Sequence, residues 1–222
     1  MTSDRFDAVF FDFGGVVLTS PFEAFARYEQ DHGLPDGFIR RLNTTNPHDN
    51  AWARLERGEI DINGFARLFE AEAVNQGQTI NGRDVTGLLA GRVRPVMVEA
   101  ITTIKEADLV TACLANNFLD QDRSGPRHGG RSDDEIRAVE SVLTMFDHVV
   151  ESSVIGIRKP EIDFYRRALA LAEVEAERTV FLDDLGINLK PARALGMATI
   201  KVVDPIEALT RLEELLGLSL VR

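Results

Sequence analysis

The sequence predicts an α/β protein: a doubly wound parallel sheet with an α-helical block inserted after its first strand. Three observations carry that reading. Short apolar runs alternate with helical patterns along most of the chain, the rhythm of strand–helix–strand crossovers. That rhythm stops once, from about residue 21 to residue 94, where only helical patterns occur. Acidic residues stand at the ends of two apolar runs, where ligands sit in open α/β sheets.

The first strand is expected over 7–13, where Ala8-Val-Phe-Phe-Asp12 reads as a buried run ended by the tight turn of Gly14-Gly15. Helices follow at 22–30, 51–57 and 63–73, punctuated by Gly58, Asn63, Gly77 and Asn81-Gly82. A helix at 95–106 leads to a strand at 109–114. Segment 121–131, with Pro126, several glycines and three arginines, reads as a surface loop. Then come a helix at 133–145, a strand at 148–151, a helix at 162–172 and a strand at 179–182. A helix at 188–195 and a strand at 198–202 precede a last amphipathic helix at 205–216, with Leu209, Leu212 and Leu216 at helical spacing. Residues 1–18 and 95–222 are thus expected to form the sheet domain, and 19–94 a helical cap over its crevice.

With 222 residues, the chain suffices for one large domain or a core with a smaller companion. Its net charge of −11 argues against a nucleic-acid partner, because phosphate backbones select basic surfaces. Its single cysteine, Cys113, allows no internal disulfide and reads as a small core residue. No basic region followed by a long apolar run opens the chain, and no stretch reaches membrane-spanning length, so the expectation is a cytoplasmic protein without a membrane partner. The histidines (His32, His48, His128 and His148) lack metal-ligand spacing. Trp52, Arg54, Arg57 and Phe65 either face the crevice or, as helical spacing favours for the aromatics, form the core of the inserted block. His48 sits in the polar loop 43–50, which could overhang the site. Oligomeric state leaves no mark on the pattern.

Four segments carry candidate chemistry. Asp12 ends an apolar strand, where it either caps a turn or faces a cation. Leu114-Ala-Asn-Asn-Phe118 turns out of the next strand, so backbone N–H groups near Ala115 and the Asn116 side chain could cradle an anion. In Gly156-Ile-Arg-Lys-Pro-Glu161, Pro160 suits the first position of a helix, with Lys159 just before it. Phe181-Leu-Asp-Asp-Leu-Gly-Ile-Asn188 puts two carboxylates, Asp183 and Asp184, after a strand; they suit a hard cation, or else a turn with Asn188 as helix cap.

In this order, each at a strand end, the four segments resemble the haloacid dehalogenase superfamily, whose members are mostly Mg²⁺-dependent phosphohydrolases. The helical insertion resembles that superfamily's type I cap. Within the superfamily, Ile157-Arg-Lys-Pro160 and the run 181–197 of this chain look like the phosphatase domain of soluble epoxide hydrolases and the domain fused to some acyl-CoA dehydrogenases. The resemblance implies a small phosphorylated substrate and an aspartyl-phosphate intermediate on Asp12. It implies Mg²⁺ held by Asp12, the carbonyl of Gly14 and Asp184, with Asp183 direct or through water. By the same resemblance Lys159 neutralises Asp12 and phosphoryl oxygens, the backbone at Ala115 and Asn116 binds phosphate, and Asn188 supports Asp184 or Lys159.

Two positions depart from the superfamily pattern. Gly14 stands where an aspartate acts as general acid and base, a function worth roughly 10²–10⁴-fold. Ala115 stands where a Ser or Thr hydroxyl meets phosphate. Together the losses could slow a phosphatase by roughly 10³–10⁶-fold. Three classes therefore fit the residues: a weak or restricted phosphohydrolase, a phospho-ligand-binding module without turnover, and a metal-independent 2-haloacid dehalogenase. A two-component receiver shares the Asp, Lys and Mg²⁺ but not the insertion.

Overall fold

The computed structural model describes residues 5–118 and 132–221; the expected loop 121–131 lies outside them. In chain order, β1 (Ala8–Asp12) runs through a wide turn, Phe13–Val17, into α1 (Phe22–Asp31), α2 (Phe38–Thr44), α3 (Ala51–Glu56), α4 (Ile62–Asn75) and α5 (Gly82–Gly87). Next come α6 (Pro95–Glu106), β2 (Val110–Ala115), α7 (Asp133–Leu143), β3 (His148–Glu151) and α8 (Ser152–Ile155). The described chain ends with α9 (Ile162–Ala172), β4 (Thr179–Asp183), α10 (Gly186–Ala194), β5 (Ala198–Lys201) and α11 (Pro205–Leu216).

The strands form one parallel sheet in the order β3-β2-β1-β4-β5. Parallel strands are covered on both faces and so read as continuous apolar runs, as β1 does. Successive side chains point to opposite faces. Val9 and Phe11 join Met97 and Ile101 of α6 and Leu209 and Leu212 of α11 in one buried cluster. Ala8 and Phe10 join Phe164 and Tyr165 of α9 and Leu189 and Ala192 of α10 in the other. Phe11 lies opposite Cys113 on β2 and Leu182 on β4, so β1, β2 and β4 deliver their carboxyl ends to one edge.

Helices α1–α5 bury a cluster of their own, including Phe25, Ile39, Trp52, Phe65 and Phe69. The chain enters and leaves this block side by side. Leu18 forms an antiparallel bridge with Val93, Thr19 N–H donates to the Arg92 carbonyl at 2.8 Å, and Arg94 N–H donates to Val17 at 2.9 Å.

Among the described residues, three short helices have no counterpart in the sequence pattern: α2, α5 and α8. For α2 the reason is visible. Its N-terminal amides are capped from another helix, by the Glu29 carboxylate of α1, which accepts from Gly37 at 2.7 Å and Ile39 at 2.8 Å. A cap supplied eight residues upstream leaves no local start signal. No helix among the described residues is long and apolar enough to cross a membrane.

Candidate active site

β1 delivers Asp12 to the edge of the sheet, 7% exposed. Its Oδ1 accepts the Phe13 N–H at 2.7 Å and the Lys159 ammonium at 2.6 Å, so the carboxylate both caps the turn and pairs with a cation. Its Oδ2 accepts nothing from the described residues. The two glycines behind it differ in purpose. Gly15 has φ +86°, and a Cβ there would collide with the Asp184 carboxylate, so only glycine fits. Gly14 has ordinary extended angles, and a Cβ there would meet nothing within 4 Å.

Lys159 is 1% exposed. Its ammonium also donates to Asp183 Oδ2 at 3.0 Å and lies 5.6 Å from the centre of the Phe181 ring. Burial alone would push its pKa down; the Asp12 and Asp183 charges outweigh burial and hold it above the ordinary lysine range. The lysine is therefore a fixed cation. Pro160 does not open the following helix. The Lys159–Pro160 peptide is cis, and α9 begins at Ile162 after a turn closed by Glu161 N–H on the Arg158 carbonyl at 2.8 Å.

Asp183 is fully buried and both its carboxylate oxygens accept hydrogen bonds. Oδ1 accepts from Leu185 N–H at 2.8 Å, and the Asn188 amide donates to both oxygens at 3.1 Å. Asn188 thus supports Asp183, not Asp184 or Lys159 as expected. It stands in the first turn of α10, directly beneath the carboxylate that precedes that helix. Asp184 is only partly buried. Burial first, and the Asp183 charge next, raise it to about 6 against the opposing pull of Lys159 and Arg40. Burial first, then Asp183 and Asp184, also push Asp12 well above the usual carboxylate range, against Lys159.

Asp12, Asp183 and Asp184 each offer an oxygen within 4.8 Å of the others. Three carboxylates face one ammonium, and a divalent cation would neutralise the remainder. Hard oxygen donors are what Mg²⁺ takes, so the residues fit that ion.

At the end of β2, Ala115 presents only a methyl group. The Asn116 side chain is committed to the backbone of Lys159: its Oδ1 accepts the Lys159 N–H at 2.9 Å and its Nδ2 donates to the Lys159 carbonyl at 3.0 Å. It clamps the lysine and is not free to hold an anion. Asn117 N–H donates to Ser152 Oγ at 3.0 Å, and Ser153 Oγ donates to Asn117 Oδ1 at 2.8 Å, tying this turn to α8.

Trp52 and Phe65 are buried in the inserted block, 4.7 Å apart between ring centres, and do not face the crevice. Arg57 pairs with Glu59 at 2.6 Å and Arg54 with Glu59 at 3.5 Å. Loop 43–50 touches the site through Pro47, whose carbonyl accepts from Arg158 at 3.0 Å, while exposed His48 offers its carbonyl to Arg57. Cys113 is buried, which pushes its thiol pKa up and leaves it unreactive. Arg158 and Asn117 lie within the candidate segments but the pattern gives them no part, and Glu56, in the inserted helices, carries no spacing signal at all.

The haloacid dehalogenase-like hydrolase family model matches residues 6–196, and the chain belongs to that family. It is 30% identical to bifunctional epoxide hydrolase 2 of Sus scrofa over 226 residues, covering 97% of this chain and 40% of that protein. It is 33% identical to acyl-CoA dehydrogenase family member 10 of Mus musculus over 222 residues, covering 96% of this chain and 19% of that protein. The chain therefore spans less than half the length of both. Sesquiterpene phosphatase astK of Aspergillus oryzae is 25% identical over 215 residues, covering 96% of this chain and 97% of that protein. Among solved structures, the fold is shared with a Bacteroides thetaiotaomicron enzyme of the family in complex with magnesium and inorganic phosphate (TM-score 0.54, 17% identity, 88% of this chain and 93% of that one). It is shared equally with the L-2-haloacid dehalogenase of Xanthobacter autotrophicus (TM-score 0.57, 16% identity, 94% and 82%).

Proposed function

We propose that this chain is a Mg²⁺-dependent hydrolase of small phosphorylated molecules, acting through an aspartyl-phosphate on Asp12. One observation carries the reading: Lys159 holds Asp12 Oδ1 and Asp183 together, while Asp12 Oδ2 and Asp184 remain open to a metal and a substrate. Asp12, the Gly14 carbonyl and Asp184 would hold the ion, with Asp183 supporting. When bound, the ion offsets the charge that keeps a carboxylate and a phosphate dianion apart. The phosphatase relative agrees with this chemistry.

In the first step an Asp12 oxygen attacks phosphorus, and the bond to the leaving oxygen breaks with its electron pair on that oxygen. Lys159 holds the nucleophile's other oxygen throughout. Water then attacks phosphorus, the bond to Asp12 breaks, and phosphate leaves with the carboxylate restored. No aspartate at position 14 protonates the leaving oxygen or deprotonates the water. Acyl and aryl phosphates, whose leaving groups depart as anions, are therefore the favoured substrate class. Helices α1–α5 act as the cap, hinged at the paired Leu18 and Val93, with domain limits of 1–18 and 95–222 for the core and 19–94 for the cap.

The test is phosphate release from an aryl phosphate with and without Mg²⁺, with Asp12→Asn as the blank. Metal-dependent release that vanishes in the variant supports the proposal. Gly14 and Ala115 favour a second reading, a module that binds a phosphorylated ligand without turnover; tight phosphate binding with no release would select it. Halide release indifferent to a chelator would select dehalogenation, for which Asp183 and Asp184 have no evident use.

A further inference from the structure

The inserted helices reach the lysine through one carboxylate. Glu56, the last residue of α3, accepts from the Arg158 guanidinium at 2.5 Å and from Asn116 Nδ2 at 3.1 Å. Both partners flank Lys159. Arg158 precedes it in the chain and also donates to the Pro47 carbonyl at 3.0 Å, while Asn116 clamps the Lys159 peptide from both sides. The Glu56 and Arg158 side chains are about five-sixths buried, at 16% and 15% exposure, so their charges are partly shielded from water. The same face is closed nearby: Arg57 lies 3.5 Å from Glu161, and Gly58 sits so close to the Ser153 carbonyl that a Cβ would come within 2.9 Å.

We infer that Glu56 is a positioning residue, acting through Asn116 and Arg158 to hold the Lys159 backbone in place only while the inserted helices are seated on the sheet. The physical reason is the sharing of Asn116. Its Nδ2 serves both the Lys159 carbonyl and Glu56, so a charged acceptor fixes the amide plane that also offers Oδ1 to the Lys159 N–H. Withdrawing α3 removes that acceptor and Arg158's counter-charge together. The lysine clamp then loosens at the moment the site opens. Lifting the helices thus slackens the cation that holds Asp12, and seating them restores it.

The role in turnover rests on the phosphohydrolase reading; the clamp itself does not. The experiment therefore reads both, in the full chain, using Glu56→Gln, which keeps the shape, and Glu56→Ala. Hydrogen exchange at the Lys159 amide, resolved by NMR without substrate, is the first readout. Loss of a charge-assisted bond should speed exchange there at least about tenfold in Glu56→Ala and less in Glu56→Gln. Arg166→Ala, at the exposed Arg166–Asp163 pair, serves as the unaffected control. On an aryl phosphate, kcat should fall about tenfold in Glu56→Ala with KM little changed, and Glu56→Gln should recover part of it. Unchanged Lys159 exchange in a folded Glu56→Gln or Glu56→Ala protein overturns the inference whatever turnover does. Faster exchange with unchanged kcat also overturns the positioning role. If the wild-type chain releases no phosphate at all, the phosphohydrolase reading falls, and the exchange result alone decides the clamp.

Discussion

Lys159 and Asp12 meet at 2.6 Å inside the protein although 147 residues separate them in the chain. The parallel register makes the meeting possible: β1 brings Asp12 to the sheet edge, and the turn before α9 brings the lysine over the face that α9 covers. A third charge completes the arrangement, since the same ammonium reaches Asp183 at 3.0 Å.

Removing the ammonium should leave two buried carboxylates without a counter-charge. Breaking a buried pair from one side costs about 3–5 kcal/mol. Lys159→Met, which fills the space but carries no charge, should lower the denaturant midpoint accordingly, and added Mg²⁺ should restore part of the loss. An unchanged midpoint would mean that Lys159 is not the counter-ion of this cluster.

The two glycines of the turn should respond oppositely. Gly15→Ala forces a side chain into a positive-φ position, at a cost of about 1–2 kcal/mol, and into the Asp184 carboxylate, so Mg²⁺ binding should be lost. Gly14→Ala should fold and bind Mg²⁺ like the parent, because its Cβ enters open space. Calorimetric titration of both variants with Mg²⁺ separates the positions.

Gly14→Asp should add what the sequence lacks. A Cβ at this position meets nothing within 4 Å, so an added carboxyl has room, and as a proton donor it should raise kcat/KM on alkyl phosphates roughly 10²-fold or more. Aryl and acyl phosphates should gain much less, since their leaving groups need no proton. Equal gains for both classes, or none, would show that acid catalysis does not limit the parent.

Metal affinity should depend on pH through Asp184. Its pKa rises from an ordinary 3.8 to about 6 on folding, so the folded metal-free protein holds this proton more tightly than the unfolded chain does. The resulting stability is fully present below about pH 4 and is lost as pH rises through about 6. Mg²⁺ competes with that proton. Its stabilising effect in thermal melts should therefore grow as pH rises from about 4.5 through about 6, and the proton on Asp12, also held above the usual carboxylate range, should extend that rise. A shift in melting temperature independent of pH would place the metal elsewhere.

Most of the sheet was legible because parallel strands announce themselves as apolar runs; β3, α6, α9 and α11 fall on the expected residues. Asp12 and the Asp183–Asp184 pair stand out because each follows such a run; Lys159 stands out only through Pro160, which does not open α9 as expected. Glu56 and Arg158 were not, since the two residues stand 102 positions apart and their bond exists only once the inserted helices lie on the sheet. Asn188 meets Asp183 and not the expected Asp184 or Lys159 for a similar reason: which carboxylate an amide meets depends on where the first turn of α10 begins. That helix starts at Gly186, ahead of the expected 188.

Asp12 is the proposed acceptor of the phosphoryl group. The most direct test is to quench the chain in acid during turnover of an aryl phosphate with Mg²⁺ and to weigh the peptide that contains Asp12. A phosphoryl mass increment on that peptide, absent from Asp12→Asn and from a chelator-treated sample, is the expected result. Steady phosphate release with no such increment, persisting in Asp12→Asn, would contradict the account.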